Sequence, residues 1–390
     1  MPNFRLKVIQ DPHALSQVSA FWRDQARTPL QSPEWMLAWW QAMGGPNSEL
    51  CVLVANADDG QTVGLAPLFL REGWADGRSL RFLGSGRACG DFQTVLASPG
   101  HEVSVGAFFG EYLLEAQPKL NWSLLELEGT SPDDAAVNAL VSALKRGRCF
   151  EQTSPLEHTW RLHLTNGWDS FLDGLSKTQR RQTRNWVNRF DKTDHWRVRI
   201  VEEAEHIPAA LEQLVELHQR RWTAVGEPGC FADSRFKRFV ENASQSLAAY
   251  GRVSIALFEE HGQPIACQFY LKDAAGNLYM YQTGRDPERD ADGIGRIFNA
   301  VAVREACRRG VAYIDFLRGD EIYKGRLGAK PSVCLRQRLI APALLPRIRN
   351  GVKTVGRSVR SRVKTLRERW GFGVANRRVV EEVDLQATSN

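Results

Sequence analysis

Asn277-Leu-Tyr-Met-Tyr-Gln-Thr-Gly284, Gly293-Ile-Gly295, Asp315-Phe-Leu-Arg-Gly319 and Tyr323-Lys324 punctuate residues 251–328, the stretch that decides the fold. Its patterns run strand, turn, strand, strand, glycine-led helix, strand. Val253-Ser-Ile-Ala-Leu-Phe258 and Pro264-Ile-Ala-Cys-Gln-Phe-Tyr-Leu271 flank the turn Glu260-His-Gly-Gln263, which predicts a hairpin. The glycine pair leads into a helical pattern over 294–308, and Ala312-Tyr-Ile-Asp-Phe-Leu317 reads as a buried strand beyond it. Amides at such a helix start lack internal partners and sit at the positive end of the helix dipole, so they can hold a phosphate. Arg289 and Arg296 would add charge. A Gly-x-Gly alone is equally a plain turn into a helix; the strands on either side favour the phosphate of a nucleotide-type donor.

The first half echoes this order. Cys51-Val-Leu-Val-Ala55, the turn Asp58-Asp-Gly-Gln61 and Val63-Gly-Leu-Ala-Pro-Leu-Phe-Leu70 match the later hairpin. Ser79-Leu-Arg-Phe-Leu-Gly84, a helical pattern over 102–116 and Trp122-Ser-Leu-Leu-Glu-Leu127 complete the unit. The shared order predicts an α/β fold built from a tandem duplication, with mixed sheets flanked by helices. The repeat differs where chemistry would sit. The first half lacks the Gly-x-Gly pair and any counterpart of Tyr323-Lys324, which suits a structural or acceptor-shaping role. The predicted division is a first unit over 1–165, a second unit with a helical insertion over 166–335, and a tail over 336–390.

At 390 residues two domains are expected. The seven scattered cysteines form no C-x-x-C pair, which argues against a disulfide framework and a structural zinc site. The histidines show no H-E-x-x-H spacing, so no metal is expected. No apolar run reaches the length of a membrane span and residues 1–17 carry no signal-type segment, so a reducing cytoplasm is the expected compartment. Residues 336–369 hold eleven Lys/Arg against the single acid Glu368, a net +10, so the remainder of this +6 chain is near −4. Val352, Val355, Val359, Val363 and Leu366 keep helical spacing among those cations. That is a basic amphipathic pattern suited to an anionic membrane surface, a partner or nucleic acid.

Asp315 interrupts the apolar run Ile314, Phe316, Leu317, so its carboxylate needs a partner; Arg318 and Lys324 are the nearest cations in sequence. His218, Arg221 and Trp222 share one face of a helical pattern. Lys177, Arg180, Arg181, Arg184 and Asn188 line another, and only Asp191 and Asp194 balance the cations there, as for a surface that faces a polyanion.

These motifs together resemble the GNAT-type acyltransferases, in the branch related to cellulose-biosynthesis (CelD-like) proteins and FemAB-type transferases. The residues that carry the resemblance are His218-x-x-Arg-Trp222, Gly262-Gln-Pro-Ile-Ala266, Tyr281-x-x-Gly284, Gly293-Ile-Gly295, Asp315-x-x-Arg-Gly319 and Tyr323-Lys324, with Lys177-x-x-Arg180. The resemblance implies two GNAT-like units, an acetyl-CoA or longer acyl-CoA donor, and direct attack by an acceptor amine on the thioester. It implies that Gly293, Gly295, Arg289, Arg296 and Thr283 hold the donor. Arg180, Arg184, Arg221, Trp222, Gln268, Tyr281, Arg318 and Lys324 would line the acceptor side. Asp315, His218 or a water relay would take the amine proton, and Tyr323 would protonate the leaving thiolate. In the family's phosphate loop, Arg/Gln-x-x-Gly-x-Gly/Ala, Arg289 stands one residue early and Asp290 takes its place. An aminoacyl-tRNA donor, as in FemAB-type transferases, is the alternative. The other is a non-enzymatic module docked on a polysaccharide synthase at the inner membrane face through the tail.

Overall fold

The computed structural model describes residues 3–343 except Ala75, together with Pro346. The first strands are β1 (Arg5–Ile9), β2 (Ser48–Asn56), β3 (Thr62–Gly73), β4 (Gly77–Phe82), β5 (Leu96–Ala97), β6 (Leu124–Thr130) and β7 (Phe150–Pro155). Then come β8 (Thr159–His163), β9 (Trp196–Val201), β10 (Val253–Glu260), β11 (Gln263–Lys272), β12 (Leu278–Arg285), β13 (Tyr313–Arg318), β14 (Lys330–Ser332) and β15 (Leu335–Ile340). The helices are α1 (Ser19–Gln25), α2 (Pro33–Met43), α3 (Glu102–Glu115), α4 (Gln117–Leu120), α5 (Ala135–Arg146) and α6 (Gly167–Gly174). They continue with α7 (Lys177–Asp191), α8 (Ile207–Ala224), α9 (Ser234–Ala248), α10 (Ile294–Arg308) and α11 (Ile322–Arg326).

The strands form two mixed sheets. One has the order β1-β2-β3-β4-β6-β15-β7, with β5 on β3; the other is β14-β8-β13-β12-β11-β10-β9. Read in opposite directions the orders coincide, with β1 matching β9, β2 to β4 matching β10 to β12, and β6 matching β13. In each sheet the strand that follows the hairpin pairs parallel with the strand beyond the long helix, β4 with β6 and β12 with β13. The tandem mixed α/β architecture expected from the sequence is the one observed.

The sheets do not divide at 165 and 335. β8, inside the first segment, pairs with β13 and β14 of the second sheet. β15, which the sequence reading assigned to the tail from Arg336 on, pairs with β6 and β7 of the first. The units therefore exchange one strand each. The reason is satisfaction of the backbone, since β6 and β13 would otherwise expose a row of unpaired amide groups. The amphipathic pattern over 352–366 lies outside the described residues.

The central strands of both sheets are buried on both faces, which explains their near-continuous apolar runs. Along β2, Cys51, Leu53 and Ala55 join the layer under α3 and α5, while Leu50, Val52 and Val54 point to the other side. Along β10, Ile255 and Leu257 join that same other side, and Ala256 and Phe258 turn toward α10. One apolar core is thus shared between the units, with α2 packed on α9 through Trp35 and Phe239 (ring centroids 4.6 Å, 74°). Trp22, Trp35 and Trp39 are spent on this packing. Burying Phe239 alone is worth roughly 1.5–3 kcal/mol.

Candidate functional site

β12 and β13 pair only at Leu278↔Ile314 and Tyr279↔Asp315, then part. Two local irregularities drive the separation. Opposite Phe269 and Tyr270 the register of β12 slips, leaving Tyr281 out of the ladder as a bulge that bends the strand. In β13 the backbone of Leu317 is left-handed (φ 55°), and its N–H donates to Asp315 Oδ1 at 2.9 Å. A bulky residue held there is strained and needs such an anchor. The outcome is a notch between Met280–Arg285 and Phe316–Arg318, with α10 packed on one face of the sheet and α8 on the other.

On the α10 side Gly293 caps the helix at φ 70°, a conformation that favours glycine. Among the described residues the N–H groups of Ile294 and Gly295 make no backbone hydrogen bond, whereas those of Arg296 and Ile297 return to the Gly293 carbonyl. The Arg296 guanidinium folds over Gly293 and forms no ion pair among the described residues. Asp290, the residue out of pattern in the loop, is neutralised by Arg285, whose Nη2 donates to Oδ2 at 3.1 Å. Arg289 does not face this site; Glu260 and Asp292 hold it. Thr283 lies opposite Gln268 in the ladder and is half-buried.

On the α8 side, β12 and the helix touch at Gly284, where a Cβ would sit 2.7 Å from the His218 backbone nitrogen. His218 is 3% exposed. Burial drives its imidazole down to about 4, against a rise from Gln219, so it is neutral near pH 7. Its Nε2 lies 3.4 Å from Cys230 Sγ and its Nδ1 3.1 Å from Gln219 Oε1. Tyr281 leans across to the first unit, donating to the Ala88 carbonyl at 3.1 Å and packing edge-on against Trp35. Fully buried beside Gly84, the Trp35 indole N–H and the Gln93 amide oxygen have no partner among the described residues.

Several predicted residues turn out to hold the fold. Asp315 does not pair with Arg318 or Lys324; its partner is Arg161 on β8, whose Nε donates at 3.0 Å. Burial lifts Asp315 to about 6, with Arg161 opposing. Arg318 reaches into the first unit, where Asp91 takes its Nε at 2.7 Å and its backbone N–H at 2.8 Å, with Glu128 beyond. Lys324, buried, donates to the carbonyls of Leu317, Arg318 and Gly319 at 3.2, 3.3 and 3.0 Å and pairs with Glu321. It seals the strand end rather than facing a substrate. The Gln268 amide is occupied between the sheet and α10, its oxygen by the Tyr270 hydroxyl and its N–H by Asn299 Oδ1, both at 2.6 Å. Arg180 is tied to Asp173 and Arg184 is exposed on α7. Arg221 and Trp222 end α8 together, the guanidinium 5.8 Å from the indole centroid. Tyr323 packs on Phe316, burial pushes its phenol up, and no hydrogen bond from the described residues reaches its hydroxyl.

Sequence reasoning missed Arg161, Asp91, Gln219 and Cys230. The first two lie far along the chain from the residues they serve and left no local signal. Cys230 follows Pro228-Gly229 after the His218 helix, and that spacing was the available clue. Among the described residues no three His, Cys, Asp or Glu converge as a metal site, and no helix is long and apolar enough to cross a membrane.

Residues 177–325 match the family model of the acetyltransferase (GNAT) domain. No curated protein matches the chain. Among solved structures, the chain is similar to FemX at 10% identity, over 85% of this chain and 96% of that one (TM-score 0.60). It is similar to a conserved protein from Bacteroides thetaiotaomicron at 13% identity, over 87% and 100% of the two chains (TM-score 0.55). It is also similar to L-PGS from Bacillus licheniformis at 12% identity, over 89% and 97% (TM-score 0.52). At these identities the likeness is one of fold. The second unit thus matches the acetyltransferase (GNAT) domain in sequence, inside a two-unit fold shared with FemX.

Proposed function

We propose that this chain is an N-acyltransferase that carries an acyl group from a CoA thioester to an amine. As in the CelD-like proteins its motifs resemble, the amine would belong to a precursor of envelope polysaccharide. The observation that carries the reading is the notch. At one end lie two helix amides and an arginine without partners among the described residues, the surroundings a pyrophosphate requires. The bulged strand at Tyr281 supplies amides toward a thioester carbonyl lying in the notch, where negative charge develops during attack. The amine nitrogen bonds to the carbonyl carbon and the carbon–sulfur bond breaks. Neutral His218 takes the amine proton, and Tyr323 donates its own to the departing sulfur. Asp315 acts one step away, by holding the Leu317 bend that opens the notch.

The test is thermal stability with acetyl-CoA, a longer acyl-CoA and free CoA, in the wild type and in Gly295→Glu. A carboxylate suits a helix start, so the variant folds while repelling an anion. Ligand at about 100 times its dissociation constant adds roughly 2.7 kcal/mol. A gain that Gly295→Glu abolishes is expected; no gain with any CoA species sinks the reading. A second reading, an aminoacyl-tRNA donor, is favoured by the exposed cations Lys177, Arg181 and Arg184 on α7 and by the fold shared with FemX. It requires RNA binding that weakens steeply with salt.

A further inference from the structure

Trp74, in the turn between β3 and β4, is 100% exposed, more than any other bulky apolar side chain among the described residues. The turn that displays it is anchored. Its Asp76 pairs with Arg81 on β4 and with Arg338 on β15, at 3.5 and 3.4 Å. A tryptophan held wholly in water on an anchored turn packs against nothing in its own chain, and such a residue marks a contact surface.

The register of the first sheet shows what shares this end. Arg71, Ser79, Leu124, Ile340 and Phe150 follow one another across β3, β4, β6, β15 and β7. Two hydrogen bonds continue the row, from the Ser123 N–H to the Arg78 carbonyl at 2.7 Å and from the Ala341 N–H to the Ser123 carbonyl at 3.1 Å. The chain therefore leaves β15 two strands from the hairpin, roughly 10 Å across the sheet. Phe150, exposed, opens β7 beside that exit. Arg71 and Lys119 are exposed there and form no ion pair among the described residues. The acids Glu49 and Glu72 are taken by Arg78, at 2.6 and 4.0 Å. The sequence that follows from this exit supplies more charge. Residues 344–369 contain nine Lys/Arg against Glu368, with Val352, Val355, Val359, Val363 and Leu366 among them.

We propose that this end of the first unit docks on an anionic lipid surface, with Trp74 inserted among the headgroups and the cations of residues 344–369 set against them. A tryptophan suits the headgroup level, where its ring is buried and its N–H stays wet. Lysine and arginine are drawn to anionic lipid, and an apolar insertion and a basic segment reinforce each other there. A protein partner fits less well, because Trp74 and Phe150 stand three strands apart and form no single apolar patch. The inference does not depend on the acyl donor, since Trp74 belongs to the first sheet and the notch to the second.

The experiment is flotation of the full chain with vesicles of phosphatidylcholine, alone or mixed equally with phosphatidylglycerol. Binding is expected to the mixed vesicles and should fall as salt rises. Trp74→Ser should weaken it about tenfold or more, the worth of burying one aromatic side chain. Lys119→Gln should weaken it about fivefold. Val103→Ser, likewise apolar and exposed but at the far start of α3, should leave it unchanged. Because Trp74 is wholly exposed, Trp74→Ser should keep the thermal midpoint of the wild type, which separates lost docking from lost folding. No binding to the mixed vesicles would overturn the proposal and leave Trp74 to a protein partner. Binding that Trp74→Ser does not weaken would assign the contact to the basic segment alone and overturn the docking face. Equal binding to both kinds of vesicle would remove the charge argument and overturn it too.

Discussion

The two units share a strand order and differ in what fills the notch. In the first, the chain plugs its own gap between β4 and β6. Gln93 donates its N–H to the Gly129 carbonyl at 3.0 Å, and a Cβ on Gly129 would lie 2.0 Å from the Gly90 oxygen. Its long helix also sits hard on the sheet, since Val105 occupies the space a side chain at Gly64 would need. In the second unit, Ala266 stands where the repeat has Gly64, and among the described residues the ladder between β12 and β13 ends at Tyr279↔Asp315. A duplicated fold has thus kept one notch open and made the other a wall. That wall, through Asp91 and Ala88, braces the open notch by gripping Arg318 and Tyr281.

The largest effect should come from cutting the brace. Asp91 is fully buried and Arg318 nearly so, and stranding one partner of such a pair costs about 3–5 kcal/mol. Arg318→Met is expected to show that loss in urea unfolding, and Asp91→Leu with Arg318→Met to recover much of it. A double variant as weak as the single would show that the pair is not what joins the units.

Next in size is an opposed pair of titrations at the two sides of the notch. Asp315 has its folded pKa raised to about 6, so the folded state binds the extra proton and stability falls as pH rises from about 4 to 6. His218 has its folded pKa lowered to about 4, so the unfolded state binds the extra proton and stability rises over about pH 4 to 6.5. Each is worth about 3 kcal/mol, and they offset. Relative to wild type, Asp315→Asn should be less stable at about pH 4 than at pH 7 by that margin, and His218→Phe the reverse. Equal slopes in all three proteins would refute both assignments.

The smallest effect tests the open notch against the closed one. Gly295→Glu should abolish the roughly 2.7 kcal/mol stabilisation by CoA, while Val103→Glu, the matching and exposed position on α3, should leave it intact. Equal losses would place the donor elsewhere.

Local features of the fold were legible and distant ones were not. The helix over 294–308, the hairpin at Gly262 and the break at Pro228-Gly229 were each announced by residues within a few positions. The exchange of β8 and β15 was not, because a strand's pattern records its burial and not its neighbour. For the candidate site, the glycine-led helix start at Gly293 and Gly295 was readable because it is written in consecutive residues. The partner of Asp315 was not, since Arg161 lies on a strand from the other half. Lys324 misled for another reason, as its acceptors are carbonyl oxygens that every sequence has.

The strand exchange has a consequence for synthesis. Among the described residues β7 pairs only with β15, so a nascent chain carries it past the ribosome without that neighbour until residues 335–340 have been made. The first sheet, begun earliest, is therefore finished last, after the whole second unit has emerged.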